Sequence, residues 1–192
     1  MCYFKEVMMA AKTKITREMI LNQAFKIVQA KGYHALSARS IAQGLACSTQ
    51  PVLYHFASME AIKEATYQLV NDYHTRYLLD IPPSSANPLL TLGLNYLQFA
   101  LEEQHFFIFL FQTNHFSQSS LQDILEDPNL NQILEVMGQS LNWDSDRTQQ
   151  SFASFFFLVH GVASLLANNA MKPNLAELET ILENFYQQII KE

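Results

Sequence analysis

Cysteine is scarce: only Cys2 and Cys47 occur among 192 residues. They lie far apart, and Cys47 falls inside a helical pattern, which excludes a disulfide framework. Both are read as reduced thiols, with Cys47 as the small apolar filler of a turn. Long apolar runs are missing too. The N-terminal MCYFKEVMMAAK has no core of signal-peptide length, and no later window reaches about 18 uninterrupted apolar residues. The expectation is a cytoplasmic protein with no membrane partner. Met8 and Met9 could each serve as the start, which would make the preceding residues a disordered extension. Period-two alternation, internal repeats and low-complexity tracts are absent, so strands are not expected. Catalytic signatures are lacking as well: no HExxH, no glycine-rich phosphate loop, no nucleophile motif and no facing pair of Glu-x-x-His motifs. This speaks against an enzyme, and no cofactor or metal is expected.

What is present is apolar and unevenly charged. The chain is 49% hydrophobic, 12% aromatic and 16% charged, which fills a globular core and argues against disorder. The net charge of −6 is poorly suited to a nucleic-acid partner only if it is evenly spread. Up to Glu64 there are eight basic and four acidic residues, whereas the remainder carries four basic and fourteen acidic ones. A basic N-terminal third beside an acidic body suits a small polyanion-binding module on a separate scaffold.

The stretch LSARSIAQGLACSTQPVLYHFASMEAIK, Leu36 to Lys63, carries two short helix signals around a tight polar turn. Ser37 can cap a helix bearing Ile41, Ala42 and Leu45, and Ser48 a very short one ending at Tyr54 or His55. Pro51 sits in the first turn, where backbone N–H groups have no helical partner. These are the marks of a helix-turn-helix, whose second helix enters a DNA major groove N-terminus first. Around it, Thr16 begins a helix that Gly32 ends, and Ser58 starts a long one with Ile62, Ala65, Leu69, Tyr73 and Tyr77 on its apolar face. After the break at Asp80–Asn87, further helices are expected from Pro88 to Gln104, over the apolar HFFIFLF run, at Ser120–Glu126, at Asn129–Leu141, from Asp146 to Asn168 and from Leu175 to Ile190. The expected fold is all-α with about nine helices. It comprises a flexible arm over 1–14, a three-helix DNA-binding domain over 15–57, and a helical ligand-binding and dimerisation body over 58–192 entered through the long helix.

The segments SARSIAQGLACST and QPVLYHFASMEAIK resemble the TetR-type one-component transcriptional regulators over Ile15 to about Leu69, with a looser likeness at the His160-Gly161 pair. The resemblance implies a DNA-binding domain of three helices, a linking fourth helix, and a dimerising body whose effector releases the DNA. The chain departs from the family pattern in three places: Leu53 stands where Tyr is common, Met59 where Lys is common, and Ala46 where a glycine is expected in the turn. Tyr54, His55 and Lys63 are then the replacement phosphate anchors. By chemistry, Thr49 and Gln50 are the base readers, since Gln pairs bidentately with adenine. Ser37, Ser48 and Arg39 fix register on phosphates, and Lys12, Lys14 and Arg17 are placed to reach phosphate or a minor groove.

Aromatic residues crowd the acidic part, and an apolar cavity among them would suit a small, mainly apolar or aromatic effector. Asn95, Gln98, His105, Phe107, Gln112, His115, Phe156 and His160 are the candidates for its lining. The last two helices are apolar on two faces, of which one is expected to meet a second copy in a four-helix bundle. The stripe Phe152, Phe155, Val159, Val162 with Leu178, Leu182 and Phe185 is assigned to that interface. The partners expected are therefore a palindromic double-stranded operator, an effector and a second copy of the chain. The competing readings are a helical adaptor or small-molecule binder that has lost DNA binding, and a helical-bundle enzyme.

Overall fold

The computed structural model describes residues 14–113 and 130–190. Most of the N-terminal arm with Lys12, the residue His115 and the helix expected at Ser120–Glu126 lie outside the described residues. Within them are nine α-helices, one 3-10 turn and no strand.

The first helix, α1 (Arg17–Lys31), begins where the Thr16 hydroxyl accepts from the Met19 N–H at 3.2 Å and buries Ile20, Ala24, Ile27 and Val28. It ends at Gly32, whose φ of +77° and ψ of 165° suit glycine alone. A 3-10 turn (Tyr33–Ala35) leads to α2 (Ala38–Gly44), opened by a reciprocal box in which Ser37 and Ser40 satisfy each other's backbone N–H groups. The chain then turns through Ala46, held at φ +51°, into α3 (Thr49–His55). These helices close on Ile20, Ala24, Val28, Ile41, Ala42, Val52 and Phe56, all within one core.

Helix α4 (Met59–Leu78) is capped by Ser58 and runs about 30 Å at 1.5 Å per residue. Its buried stripe is Ile62, Thr66, Val70, Asn71, His74 and Leu78, whereas Ala65, Leu69, Tyr73 and Tyr77 are only half-buried. The expected apolar face therefore lies beside the true inner face, which carries three polar residues. Apolar periodicity cannot detect a core position occupied by a polar side chain.

Helix α5 (Pro88–Glu102), started by the Asn87 cap and the first-position proline, is the hub of the body. Around it pack α4, α6 (Gln104–Phe111), α7 (Asn131–Leu141), α8 (Ser145–Ala167) and α9 (Leu175–Ile189). Gly93 permits this crowding: a Cβ there would stand 2.7 Å from the Phe155 ring and 3.2 Å from Leu182. Helix α8 is long and apolar enough to cross a membrane, with a mean hydropathy of 1.5 in its best window. In the fold it is instead a core helix, burying Phe152, Phe155, Val159, Ala163, Leu166 and Ala167.

That packing corrects the interface assignment. Phe152, Phe155, Val159, Leu178 and Leu182 are each no more than 5% exposed inside this single chain, and Val162 and Phe185 pack half-buried against the same core. The heptad-spaced stripe is used up on α5. The apolar residues left outside are Phe157 and Leu165 on α8 and Leu175, Ile181 and Ile190 around α9.

Candidate functional site

The helix-turn-helix puts its reading groups on the outside. Ser37, Arg39, Ser48, Thr49, Gln50, Leu53 and Tyr54 are exposed, as is Lys14 before α1. Tyr54 is the most open of the large side chains, at 84%. Ser48 occupies the N-cap position, yet its hydroxyl makes no capping bond, so it and the first-turn N–H groups of α3 face outward together. Ser37 is engaged in its box, although its residue is exposed. Two expected anchors are committed elsewhere. His55 Nε2 lies 2.9 Å from the Ile15 carbonyl oxygen, which makes the ring a latch between α3 and the segment before α1. Lys63 is half-buried and paired with Glu60 at 3.8 Å. Arg17 lies over the Phe56 ring at 4.8 Å, so its stem and charge brace the small domain.

In the body a cavity of about 360 Å³ lies between α4, α5, the end of α6, α7 and α8. Its walls are largely aromatic, including Tyr67, Tyr96, Phe111, Phe152, Phe155 and Phe156. Asn71, His74, Thr75, Thr113 and His160 supply polar groups. His160 stacks on Phe107 at 5.6 Å and on Phe156 at 5.1 Å, with Nδ1 2.8 Å from the Tyr96 hydroxyl. Burial pushes the Tyr96 phenol pKa far above its ordinary value and lowers that of His160. The phenol thus keeps its proton and hydrogen-bonds a neutral imidazole, with the donor set by the His160 tautomer. His74 is enclosed by Tyr96, Phe99 and Phe111 rings at 4.7–5.5 Å, and its Nε2 is buried without a partner. Burial, with the neighbouring His160, holds its pKa down to about 3. Both histidines are neutral.

Of the residues proposed from sequence, Phe156 and His160 line this cavity, and Phe107 supports it from behind the His160 ring. The others lie elsewhere, for local reasons. Asn95 donates to the Leu78 and Asp80 carbonyls and closes the end of α4. Gln98 is exposed and donates to Glu102. Gln112 accepts from Asn168 at the end of α8. His105 Nδ1 sits 2.8 Å from the Gln29 carbonyl oxygen, at the junction with α1. Sequence reading missed Asn71, His74 and Thr75. Their i, i+3, i+4 spacing within a helix was the available signal.

Residues 20–66 match the family model of the bacterial regulatory proteins, tetR family, which spans α1 from Ile20 through the helix-turn-helix and into α4. The likeness to the tetR family is to this N-terminal segment. The chain is also similar in fold to the ketosteroid transcriptional regulator KstR2 of Mycobacterium tuberculosis. They share 16% identity over 95% of this chain and 96% of that one, with a TM-score of 0.47. No curated protein matches it significantly in sequence. The matched segment includes α2 and α3, the two helices of the helix-turn-helix.

Within the chain, α1 joins the body through a polar junction. Gln29 Nε2 donates to both Glu103 carboxylate oxygens, at 2.8 and 3.1 Å, and Tyr73 on α4 donates to the same carboxylate at 3.0 Å. Burial, then the Glu103 bond, raises the Tyr73 pKa, so the phenol remains a donor. One carboxylate thereby ties α1 and α4 to the α5–α6 corner, whose α6 ends at the cavity. Phe157, which also borders the cavity, Gly161 and Leu165 fall on one exposed face of α8 at a spacing of four, and among the described residues nothing stands within 4 Å of a Cβ built at Gly161.

Proposed function

We propose that the protein is a homodimeric repressor that binds a palindromic operator and releases it when a small, mainly aromatic effector fills the cavity beside α4. The observation that carries this is the place of the cavity. Asn71, His74 and Thr75 project into it from the same helix that enters the helix-turn-helix at Met59. A change in the cavity therefore acts on the lever that sets the recognition helix. The domain boundary falls at Ala57–Ser58, with α4 belonging to the body.

Thr49 and Gln50 read bases, Ser48, Arg39 and Tyr54 hold phosphates, and Lys14 adds a backbone contact from outside α1. Each is exposed and turned to solvent in the free protein. Such backbone contacts release counterions, so affinity falls steeply with salt. The exposed apolar face of α8 and α9 supports the dimer. A glycine in mid-helix costs about 1 kcal/mol relative to alanine, and among the described residues Gly161 meets nothing to justify it. Close approach by a second copy supplies the reason, and two copies give the paired half-sites that such readers address. Coupling needs differential binding: a hundredfold preference of effector for the form that does not bind DNA supplies about 2.7 kcal/mol.

Gel-shift titration on duplex DNA from the flanks of the chain's own reading frame tests the reading. Binding should weaken steeply between about 50 and 200 mM salt, and Gln50→Ala should weaken it by about 1–3 kcal/mol at an adenine-bearing site. Absence of salt-dependent binding even at low salt would sink it.

A further inference from the structure

The cavity sorts ligands by charge before it sorts them by shape. Between Arg76 and Arg147 the sequence holds no lysine or arginine. Arg76 is exposed, with Nε donating to the Asp72 carbonyl at 3.2 Å, and Arg147 lies over the Trp143 ring at 4.5 Å. Neither lines the cavity, and among the described residues no carboxylate does either. An ion of either sign entering it would lose its water without meeting a counterion among the described lining residues, a loss that aromatic walls do not offset. The two histidines do not change this, because burial keeps both neutral.

Among the described residues Asn71 supplies the one carboxamide of the lining. It is 9% exposed, in mid-helix, lines the cavity, and its carboxamide makes no hydrogen bond among the described residues. The amide atoms open on the cavity, where a ligand group can take the place of solvent as their partner. Thr75 lies one turn further along the same helix and also lines the cavity.

We propose that the cavity takes an uncharged aromatic compound with one group that both donates and accepts, a carboxamide or a phenolic hydroxyl, and that Asn71 is the residue that selects it. This rests on the cavity being the effector site. Paired with the ligand, the Asn71 amide gains the partners it lacks, and the contact falls on α4 itself, the helix whose position the effector has to change.

Four matched probes test this on the full-length protein by titration calorimetry at pH 7.5: naphthalene, 2-naphthamide, 2-naphthoate and 2-naphthylmethylammonium. 2-Naphthamide should bind about tenfold or more tighter than each of the others, the scale of one satisfied buried polar pair. In Asn71→Leu, naphthalene should still bind and the advantage of the amide should collapse. Asn71→Ala makes the same comparison should the leucine variant not fold. Either ion binding as tightly as the amide, or a ratio of amide to naphthalene unchanged in the variants, would overturn the assignment while leaving the cavity a ligand site. Binding of none of the four up to their solubility would remove the cavity as a ligand site, and the effector reading with it.

Discussion

At the scale of single residues, burial decides the chemistry. His74 is the clearest case: a core position on α4 holds an imidazole whose Nε2 has no partner, a defect that costs about 1–3 kcal/mol. Its pKa is about 3 in the folded chain against 6.5 as a free side chain. Above pH 6.5 the ring is neutral in both states and its titration contributes nothing. Below that pH the unfolded chain takes up a proton that the folded chain refuses. Stability should therefore fall as pH drops from about 6.5 toward 3, by up to about 1.4 kcal/mol per pH unit from this group. Urea unfolding across that range, for the wild type and His74→Leu, checks it. The variant should show a shallower slope and no loss at pH 7.5, and equal slopes would refute the assignment. The same scale explains why the sequence misdirected two anchors. His55 and Lys63 have the right chemistry and position for phosphate, but a carbonyl of Ile15 and the carboxylate of Glu60 already hold them.

At the scale of elements, most local signals were read correctly, with Ser48, which makes no capping bond, as the exception. Thr16, Ser58, Asn87 and Asn174 each cap the helix expected after them, because a cap needs only the backbone N–H groups three residues on. The turn between α2 and α3 carries a local cost. Ala46 sits at φ +51°, where a side chain costs roughly 1–2 kcal/mol. Ala46→Gly relieves this and returns about half through the greater freedom of the unfolded chain. The expected net gain is roughly 0.5–1 kcal/mol, a rise in Tm of about 1–4 °C. Differential scanning calorimetry measures it, and an unchanged or lower Tm would show that the turn stores no strain. The face of α4 was misread by one stripe for the opposite reason: Thr66, Asn71 and His74 are inside because neighbouring helices enclose them, which no property of α4 alone reveals.

At the scale of the molecule, α8 and α9 matter through the face they do not bury. The stripe that sequence spacing marks most strongly, Phe152 to Phe185, faces α5, and the weaker stripe through Phe157, Gly161 and Leu165 faces outward. Gly161→Arg fits the single chain, since open space surrounds that position and arginine favours a helix over glycine by about 0.8 kcal/mol. Light scattering on the variant should give a monomer with an undiminished Tm and with operator affinity lost in step with dimerisation. A variant that stays dimeric would move the interface to another face.

The sequence by itself determined the all-helical class, the limits of the described helices, and the helix-turn-helix with its basic surroundings. Each of these depends on neighbours within one or two turns, on charge content, or on a motif short enough to lie in one stretch. Tertiary structure alone decided which apolar stripe is core and which is free, which polar groups meet at the cavity, and which cations remain available for DNA. Those depend on contacts between residues far apart in the chain, such as His55 with Ile15, Gln29 with Glu103 and Tyr96 with His160. The stretch from Leu36 to Lys63 announces a helix-turn-helix, whereas only the packing of α4 against the body puts Asn71 and His74 inside.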